Sequence, residues 1–366
     1  MATTVLILGA GASKKAGAPL MAEFLDVAHD LWKTGQVSEV EDSFSTVFRG
    51  IGMLQQVHSK SQLDIQNVES VFAAFEMART LGRFGAYGLE EVSALVDAMR
   101  VVIVKTIERT LLFPISNGTI MPPEPYAALA GVVGLLRDEA RPKHSVAIIT
   151  FNYDLATEYA LLLGRIPIDY SLGPDGSEGE GAVPLLKLHG STNWGWCKEC
   201  EKVIPWMLRD YVANMQVQIH ADVKAIRMPV GSQLVNARRH GHPLEAEPIL
   251  VPPTWDKSEY RRNLASVWAR AAAELGGAEN VFVLGYSMPR SDEFFRYLYA
   301  LGTVGEVPLK RFWVFNPDES QEIRDRFEDL LGPGALQRYA YRGDTFGEAL
   351  QFIASCFRRS NPEARE

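Results

Sequence analysis

Val5-Leu-Ile-Leu8 is a short, unbroken apolar run that ends in Gly9-Ala-Gly11-Ala-Ser13, and this junction constrains the chain more than any other stretch. A run without polar alternation is apolar on both faces, so it predicts a strand covered by helices on both sides, as parallel sheets require. The glycines predict a tight turn from that strand into a helix. Backbone N–H groups at such a helix start suit a pyrophosphate. Gly17-Ala-Pro19 follows after two lysines, and no third glycine stands where dehydrogenase fingerprints carry one. The competing reading is that the glycines serve only a strand-to-helix turn.

Similar runs recur at Ser145–Thr150, Leu185–Leu188, Ile249–Val251, Val281–Leu284 and Phe312–Phe315. Helical patterns follow most of them, which predicts an α/β fold built on a Rossmann-like parallel sheet with helices on both faces. Helices are expected over Ser258–Leu275, Ser291–Leu301 and Pro317–Leu331, the last with proline in its first turn. Residues from about 20 to 140 break the alternation. Val68, Val71, Phe72 and Phe75 follow the spacing of one helix face, and Leu89–Leu112 reads as a longer helix, so this stretch is expected to be a helical insertion. A second, smaller insertion is expected at about 195–247, partly helical around Pro205–Gln218. With 366 residues, the chain is read as one unit over 1–357 that carries both insertions, followed by a flexible tail at 358–366. Gly173–Gly181 reads as a mobile acidic loop.

Hydrophobic residues at 47% and charged residues at 22% fit a globular core rather than a disordered chain. The net charge of −8 argues against direct nucleic-acid binding, which normally brings a basic excess. Three cysteines cannot build a disulfide framework and fit a reducing compartment. No apolar run reaches membrane-spanning length, and Met1-Ala-Thr-Thr leads into the first strand without a basic segment. These features predict a soluble, cytoplasmic protein.

Three further motifs stand at strand ends: Thr150-Phe-Asn152-Tyr-Asp154, Lys187-Leu-His189-Gly-Ser191 and Gly285-Tyr-Ser287. Polar residues at the carboxyl ends of parallel strands gather in one crevice, where open α/β sheets bind ligands. This set, in this order, resembles the sirtuin superfamily. Gly9-Ala10-Gly11-Ala12-Ser13 with Gly17-Ala-Pro19 is similar to that family's opening turn. Thr150/Asn152/Asp154, His189-Gly190, Gly285/Ser287, Asn316 and Gly343-Asp344-Thr345 are similar to its later elements. The resemblance runs from residue 5 to about 352. It is closer to the bacterial sirtuin-like branch, through Leu188-His-Gly-Ser-x-Asn-Trp194, Val251-Pro-Pro-Thr254, Leu284-Gly-Tyr-Ser-Met-Pro289 and Asn67-Val-Glu69. That branch implies hydrolysis of NAD+ in anti-phage defence.

The resemblance implies Asn152 and His189 as the catalytic residues. Asn152 offers a donor and an acceptor to hold a ribose and orient water. His189 suits removal of a proton from water or a ribose hydroxyl. Asp154 suits the carboxamide of nicotinamide, Gly9 to Ser13 with Pro19 the phosphate side, and Ser287, Asn316, Asp344 and Thr345 the adenosine half. Each has a structural competitor. Asp154 could simply cap the helix that follows, Asn152 could close an Asx turn, and His189 could be a packed core residue. Trp194, Trp196 and Trp206 read as packing residues, since no basic residues cluster with them, and Tyr286 reads as a packing residue or a lid.

Cys197-Lys-Glu-Cys200 is half of a tetrahedral zinc site and falls where the sirtuin zinc ribbon begins. No second cysteine pair exists. His240 and His242 are candidates to complete the set, against a degenerate, metal-free module, which is favoured. Cys356 is expected in the core beside Phe352.

The implied activity is cleavage of NAD+ to nicotinamide and ADP-ribose by the toxic effector of a bacterial defence system. Such an effector is expected to form a homo-oligomer and to answer to a sensor or ATPase on another chain, because no Gly-x4-Gly-Lys-Ser/Thr motif occurs here. An NAD-dependent protein deacylase and a non-catalytic NAD+ or ADP-ribose sensing module are the alternatives.

Overall fold

The computed structural model describes residues 1–57, 63–137, 145–215, 223–239, 241–251, 258–289, 292–305 and 307–359. His240, the Pro252-Pro-Thr254 part of one motif and most of the expected tail lie outside the described residues.

Seven parallel strands form the central sheet: β1 (Thr4–Leu8), β2 (Val146–Thr150), β3 (Ile168–Asp169), β4 (Val183–Lys187), β5 (Asn280–Leu284), β6 (Arg311–Phe315) and β7 (Tyr339–Arg342). Their spatial order is β7-β6-β5-β1-β2-β4-β3, with parallel pairing throughout. Every residue of β1, β2, β4 and β5 is buried, which is why these strands read as continuous apolar runs. The chain places β2 beside β1, then β3 at the edge and β4 between β2 and β3, and then returns to build the other half outward from β1. The switch in strand order therefore falls at β1, beside β2 and β5.

The helices Phe24–Lys33, Glu41–Val57, Val68–Leu81 and Leu89–Thr110 lie between β1 and β2 in the chain. They enclose an apolar cluster of their own around Phe44, Phe72, Phe75, Leu95 and Met99, which also takes in Tyr153 and Leu250. The helical unit ends earlier than the reading to residue 140. Beyond Thr110 come the short strands Phe113–Ser116 and Thr119–Ile120, and then the helix Tyr126–Leu136, whose apolar residues belong to the core of the main sheet. Asn67 fixes the start of the helix Val68–Leu81 by accepting from Glu69 N at 2.9 Å and Ser70 N at 3.2 Å.

Four expectations need correction. Ile249–Val251 is not in the parallel sheet: Pro248–Leu250 pairs antiparallel with Gly190–Cys197, which also pairs with Lys202–Pro205. The helix read over Pro317–Leu331 is confined to Gln321–Glu328. Asn316 Oδ1 accepts from Asp318 N, and Asp318 Oδ1 from Ser320 N, each at 3.0 Å, so two successive Asx turns delay the helix. The helix expected around Pro205–Gln218 is the shorter Leu208–Asn214. The acidic loop is tied down, because Asp175 pairs with Arg239 and Glu178 Oε2 accepts from Ile168 N at 2.9 Å.

Candidate functional site

The register of the sheet brings the sequence motifs into line. Arg342 lies beside Phe315, Phe315 beside Leu284, Leu284 beside Leu8, Leu8 beside Thr150, and Thr150 beside Lys187. Six strands thus end at one level, and the residues just beyond them share one edge. Gly9–Ser13, Asn152, Asp154, His189, Gly285, Ser287, Asn316, Asp344 and Thr345 all follow that level within a few positions. Asn152 and His189 stand two residues beyond the matched pair Thr150 and Lys187, on adjacent strands. This edge at the switch point is where open α/β sheets bind ligands.

At the first turn, glycine is required by backbone meeting backbone. Gly9 N donates to Leu284 O at 3.1 Å and Gly11 N to Gly285 O at 2.9 Å. A Cβ on Gly9 would lie 2.6 Å from Tyr286 Cα, and one on Gly11 2.8 Å from Gly285 O. Gly285 itself has φ of 62°. The glycine motifs after β1 and β5 are therefore two halves of one contact.

Asn152 is the hub of the edge. Its Nδ2 donates to Gly9 O at 3.0 Å and to Ser13 Oγ at 3.1 Å, and its own N–H donates to Thr150 Oγ1 at 3.1 Å. Ser13 Oγ in turn donates to Asp154 Oδ2 at 2.6 Å and lies 2.6 Å from the Tyr126 hydroxyl. Burial, and then the Asp154 charge, push the Tyr126 hydroxyl well above its usual range, so it stays protonated. Asp154 Oδ1 accepts from Ala156 N at 3.0 Å, at the start of the helix Ala156–Leu163. The helix-start role weighed from sequence is thus present, and both carboxylate oxygens hold protein donors. Tyr126 escaped sequence reasoning, because nothing local marks it.

Lys187 explains why the Asn152 loop keeps its shape. It is fully buried, and its Nζ donates to Asp154 O at 2.5 Å, to Tyr153 O at 3.5 Å and to Glu158 Oε1 at 2.6 Å. Thr192 Oγ1 and N donate to Tyr153 O at 3.2 and 3.1 Å. The Lys187–Ser191 motif and its neighbour thereby brace the Thr150–Asp154 motif from the adjacent strand.

His189 is buried, with 1% of its surface exposed. Its Nε2 lies 3.3 Å from Asp292 Oδ1, and its Nδ1 lies 3.9 Å from Glu69 Oε1. The Phe151 ring meets it edge-on at 5.2 Å and stacks on Tyr286 at 4.2 Å. Tyr286 OH donates to Asp292 Oδ2 at 2.8 Å. Burial and the Asp292 charge hold the Tyr286 hydroxyl protonated. Asp292 carried no sequence signal. Glu69 stood in a recognised motif, but its partner was not legible.

On the other half of the edge, Asn316 Nδ2 reaches Tyr286 O at 3.5 Å, and Arg326 Nη1 donates to Ser287 O at 3.2 Å. Asp344 Oδ2 accepts from Arg342 Nε at 2.5 Å, and Thr345 N and Oγ1 donate to Glu348 Oε2 at 2.8 and 2.6 Å. Pro19, Ala12 and Ser13 are buried, and Ala10 is half-buried.

Cys197 ends the strand Gly190–Cys197, and Cys200 lies in the turn that leads to Lys202–Pro205. Cys197 is buried against Ile204, Leu234, Ala237 and Leu244, with Cys200 beside it. The hydrogen bond that the Cys200 thiol donates to Cys197 is the first cause that raises it above its ordinary value. His242 is exposed. Among the described residues no group of three or more His, Cys, Asp or Glu stands ready to hold a metal, and His240 lies outside them. Trp194 is fully buried and meets Tyr170 edge-on at 5.2 Å, as its packing role predicts. Among the described residues no helix is long and apolar enough to cross a membrane.

No protein-family model matches the chain, and no curated protein matches it. Among solved structures, a Sir2 homolog–NAD complex is 14% identical with a TM-score of 0.43, over 98% of this chain and 90% of its own. Sir2Tm bound to a propionylated peptide is 14% identical with a TM-score of 0.36, over 98% and 92%. A structure solved for the basis of sirtuin substrate affinity is 15% identical with a TM-score of 0.38, over 96% and 93%. At these identities and scores the likeness says nothing of residue roles, which stand on the geometry above.

Proposed function

We propose that this chain is a sirtuin-like NAD+ glycohydrolase that converts NAD+ and water to nicotinamide, ADP-ribose and a proton. The observation that carries the reading is the shared edge. Hydrogen bonds join Asn152, Ser13 and Asp154 beside the switch point, His189 follows the adjacent strand end two residues beyond Lys187, and the turns at Gly285 and Asn316 lie on the same edge. The nicotinamide–ribose bond needs little covalent help, because the cationic nicotinamide ring departs as a neutral base and leaves its charge on an oxocarbenium-like sugar. What the site has to supply is a fixed dinucleotide and a positioned water. Asn152 orients the ribose and that water, and the Gly9–Ser13 turn faces the phosphates. His189 takes the proton as the oxygen attacks. Ser287, Asn316, Asp344 and Thr345 border the adenosine half.

In this reading the protein acts as the toxic effector of a bacterial anti-phage system in the cytoplasm. Unchecked loss of NAD+ would harm its own cell, so activity is gated by self-assembly or by a sensor or ATPase on a separate chain. The test is to incubate purified protein with NAD+, with and without an acetylated peptide, and to follow nicotinamide, ADP-ribose and O-acetyl-ADP-ribose. The proposal predicts the first two in equal amounts without peptide. Product only with peptide would mark a deacylase, and binding without product a sensing module.

A further inference from the structure

His189 sits between two carboxylates that come from opposite ends of the chain and are as buried as the ring itself. Glu69, from the helix Val68–Leu81 of the insertion, is 5% exposed, and Asp292, from the segment after the Gly285–Ser287 turn, is 3% exposed. Each places a carboxylate oxygen before a different nitrogen of the ring, where its charge can offset one that the ring gains. Among the described residues, His189 Nδ1 is buried with no hydrogen-bond partner, and the nearest carboxylate before it is Glu69 at 3.9 Å. Nε2 faces Asp292 at 3.3 Å. Other polar groups around the ring are the Tyr153 side chain, with centroids 6.2 Å apart, and Tyr286, which acts through its bond to Asp292.

Both carboxylates are held in place. Asn67 caps the first turn of the Glu69 helix, and Tyr286 OH holds Asp292 Oδ2. An imidazole that takes a proton gains a positive charge, and in a dry site that charge needs a fixed negative partner. We propose that Asp292 and Glu69 are the positioning residues of His189: Asp292 holds the Nε2–H side of the ring, which leaves Nδ1 as the nitrogen that takes the proton, and the two carboxylates balance the charge the ring then acquires. The helical insertion then supplies part of the reacting site. This inference rests on the hydrolase reading for its kinetic arm and on geometry alone for its spectroscopic arm.

The test uses full-length Glu69→Gln, Asp292→Asn and the conservative Glu69→Asp, each checked for an unchanged circular dichroism spectrum and melting profile. With NAD+, Glu69→Gln and Asp292→Asn should each lower kcat by roughly ten- to a hundred-fold, the usual effect of a partner that orients a working histidine, with KM within about two-fold. Glu69→Asp should recover part of the loss, since it restores the charge. Independently of activity, 15N-histidine spectra, with His189 assigned through His189→Gln, should show both ring nitrogens of His189 moving in each neutral variant. The proposal is overturned if those nitrogens keep their wild-type positions, or if kcat is unchanged in an active enzyme. A wild-type protein that leaves NAD+ intact would remove the hydrolase reading, and the spectra alone would then decide the bracket.

Discussion

Lys187→Met should be among the most destabilising single substitutions at this site, and its size follows from the contacts. Lys187 and Glu158 have side chains 1% and 0% exposed and lie 2.6 Å apart. Methionine fills the stem but leaves Glu158 buried without its cation. The Tyr170 hydroxyl, at 3.2 Å, would still face Glu158 Oε1, and Glu158 Oε2 already has no partner among the described residues. Breaking a buried pair in this way costs about 3–5 kcal/mol, whereas replacing both members with apolar residues is often close to neutral. Urea unfolding should therefore show a loss of that order for Lys187→Met and recovery of most of it in Lys187→Met/Glu158→Leu. The pH dependence has a fixed sign. Burial raises the Glu158 carboxyl and the Lys187 charge opposes the rise. Without Lys187 it rises further. A carboxyl raised in the folded state contributes stability at low pH that is lost as pH rises through its folded value. The deficit of Lys187→Met should narrow as the solution is acidified. A single variant within 1 kcal/mol of wild type (about a five-fold change in the folding equilibrium), or a double variant worse than the single, would refute this reasoning.

Three further outcomes are expected. Gly190→Ala should destabilise the fold by roughly 1–3 kcal/mol in urea, because Gly190 has φ of 86° and an added Cβ would lie 2.0 Å from Ile249 O. Asn67→Ala should cost about 1 kcal/mol through the lost cap, read from the same unfolding curves. Cys197→Ser/Cys200→Ser should change the melting temperature modestly and leave activity measurable in a metal-free module. Stoichiometric zinc in the purified protein, or unfolding on chelation, would instead support a site completed by His240 and His242.

The sheet was legible where strands are buried on both faces. The runs at Val5–Leu8, Ser145–Thr150 and Val281–Leu284 show this, and Phe312–Phe315 was legible too although its Trp313 is only half-buried. The edge strands were not legible: β3 has two residues, and all four residues of β7 are only half-buried, so no apolar run marks them. Direction was equally hidden. Ile249 lies in an apolar run like the others, yet its strand runs antiparallel because Gly190–Cys197 returns beside it. At the site, the residues at strand ends could be named from sequence because the fold forces strand ends together. The Tyr126, Glu69 and Asp292 contacts could not, since each joins segments far apart in the chain and none carries a local pattern. Asp154 showed the reverse: its helix-start bond was legible as an alternative and is present, alongside its bond from Ser13.

The account turns on Asn152, whose amide ties the Gly9 carbonyl to Ser13 at the sheet edge. The most direct measurement is the release of nicotinamide and ADP-ribose from NAD+ by wild-type protein and by Asn152→Ala, at matched concentration and with matched melting profiles. The account predicts stoichiometric release by the wild type and a collapse of kcat in the variant. Equal turnover by the two proteins would contradict it.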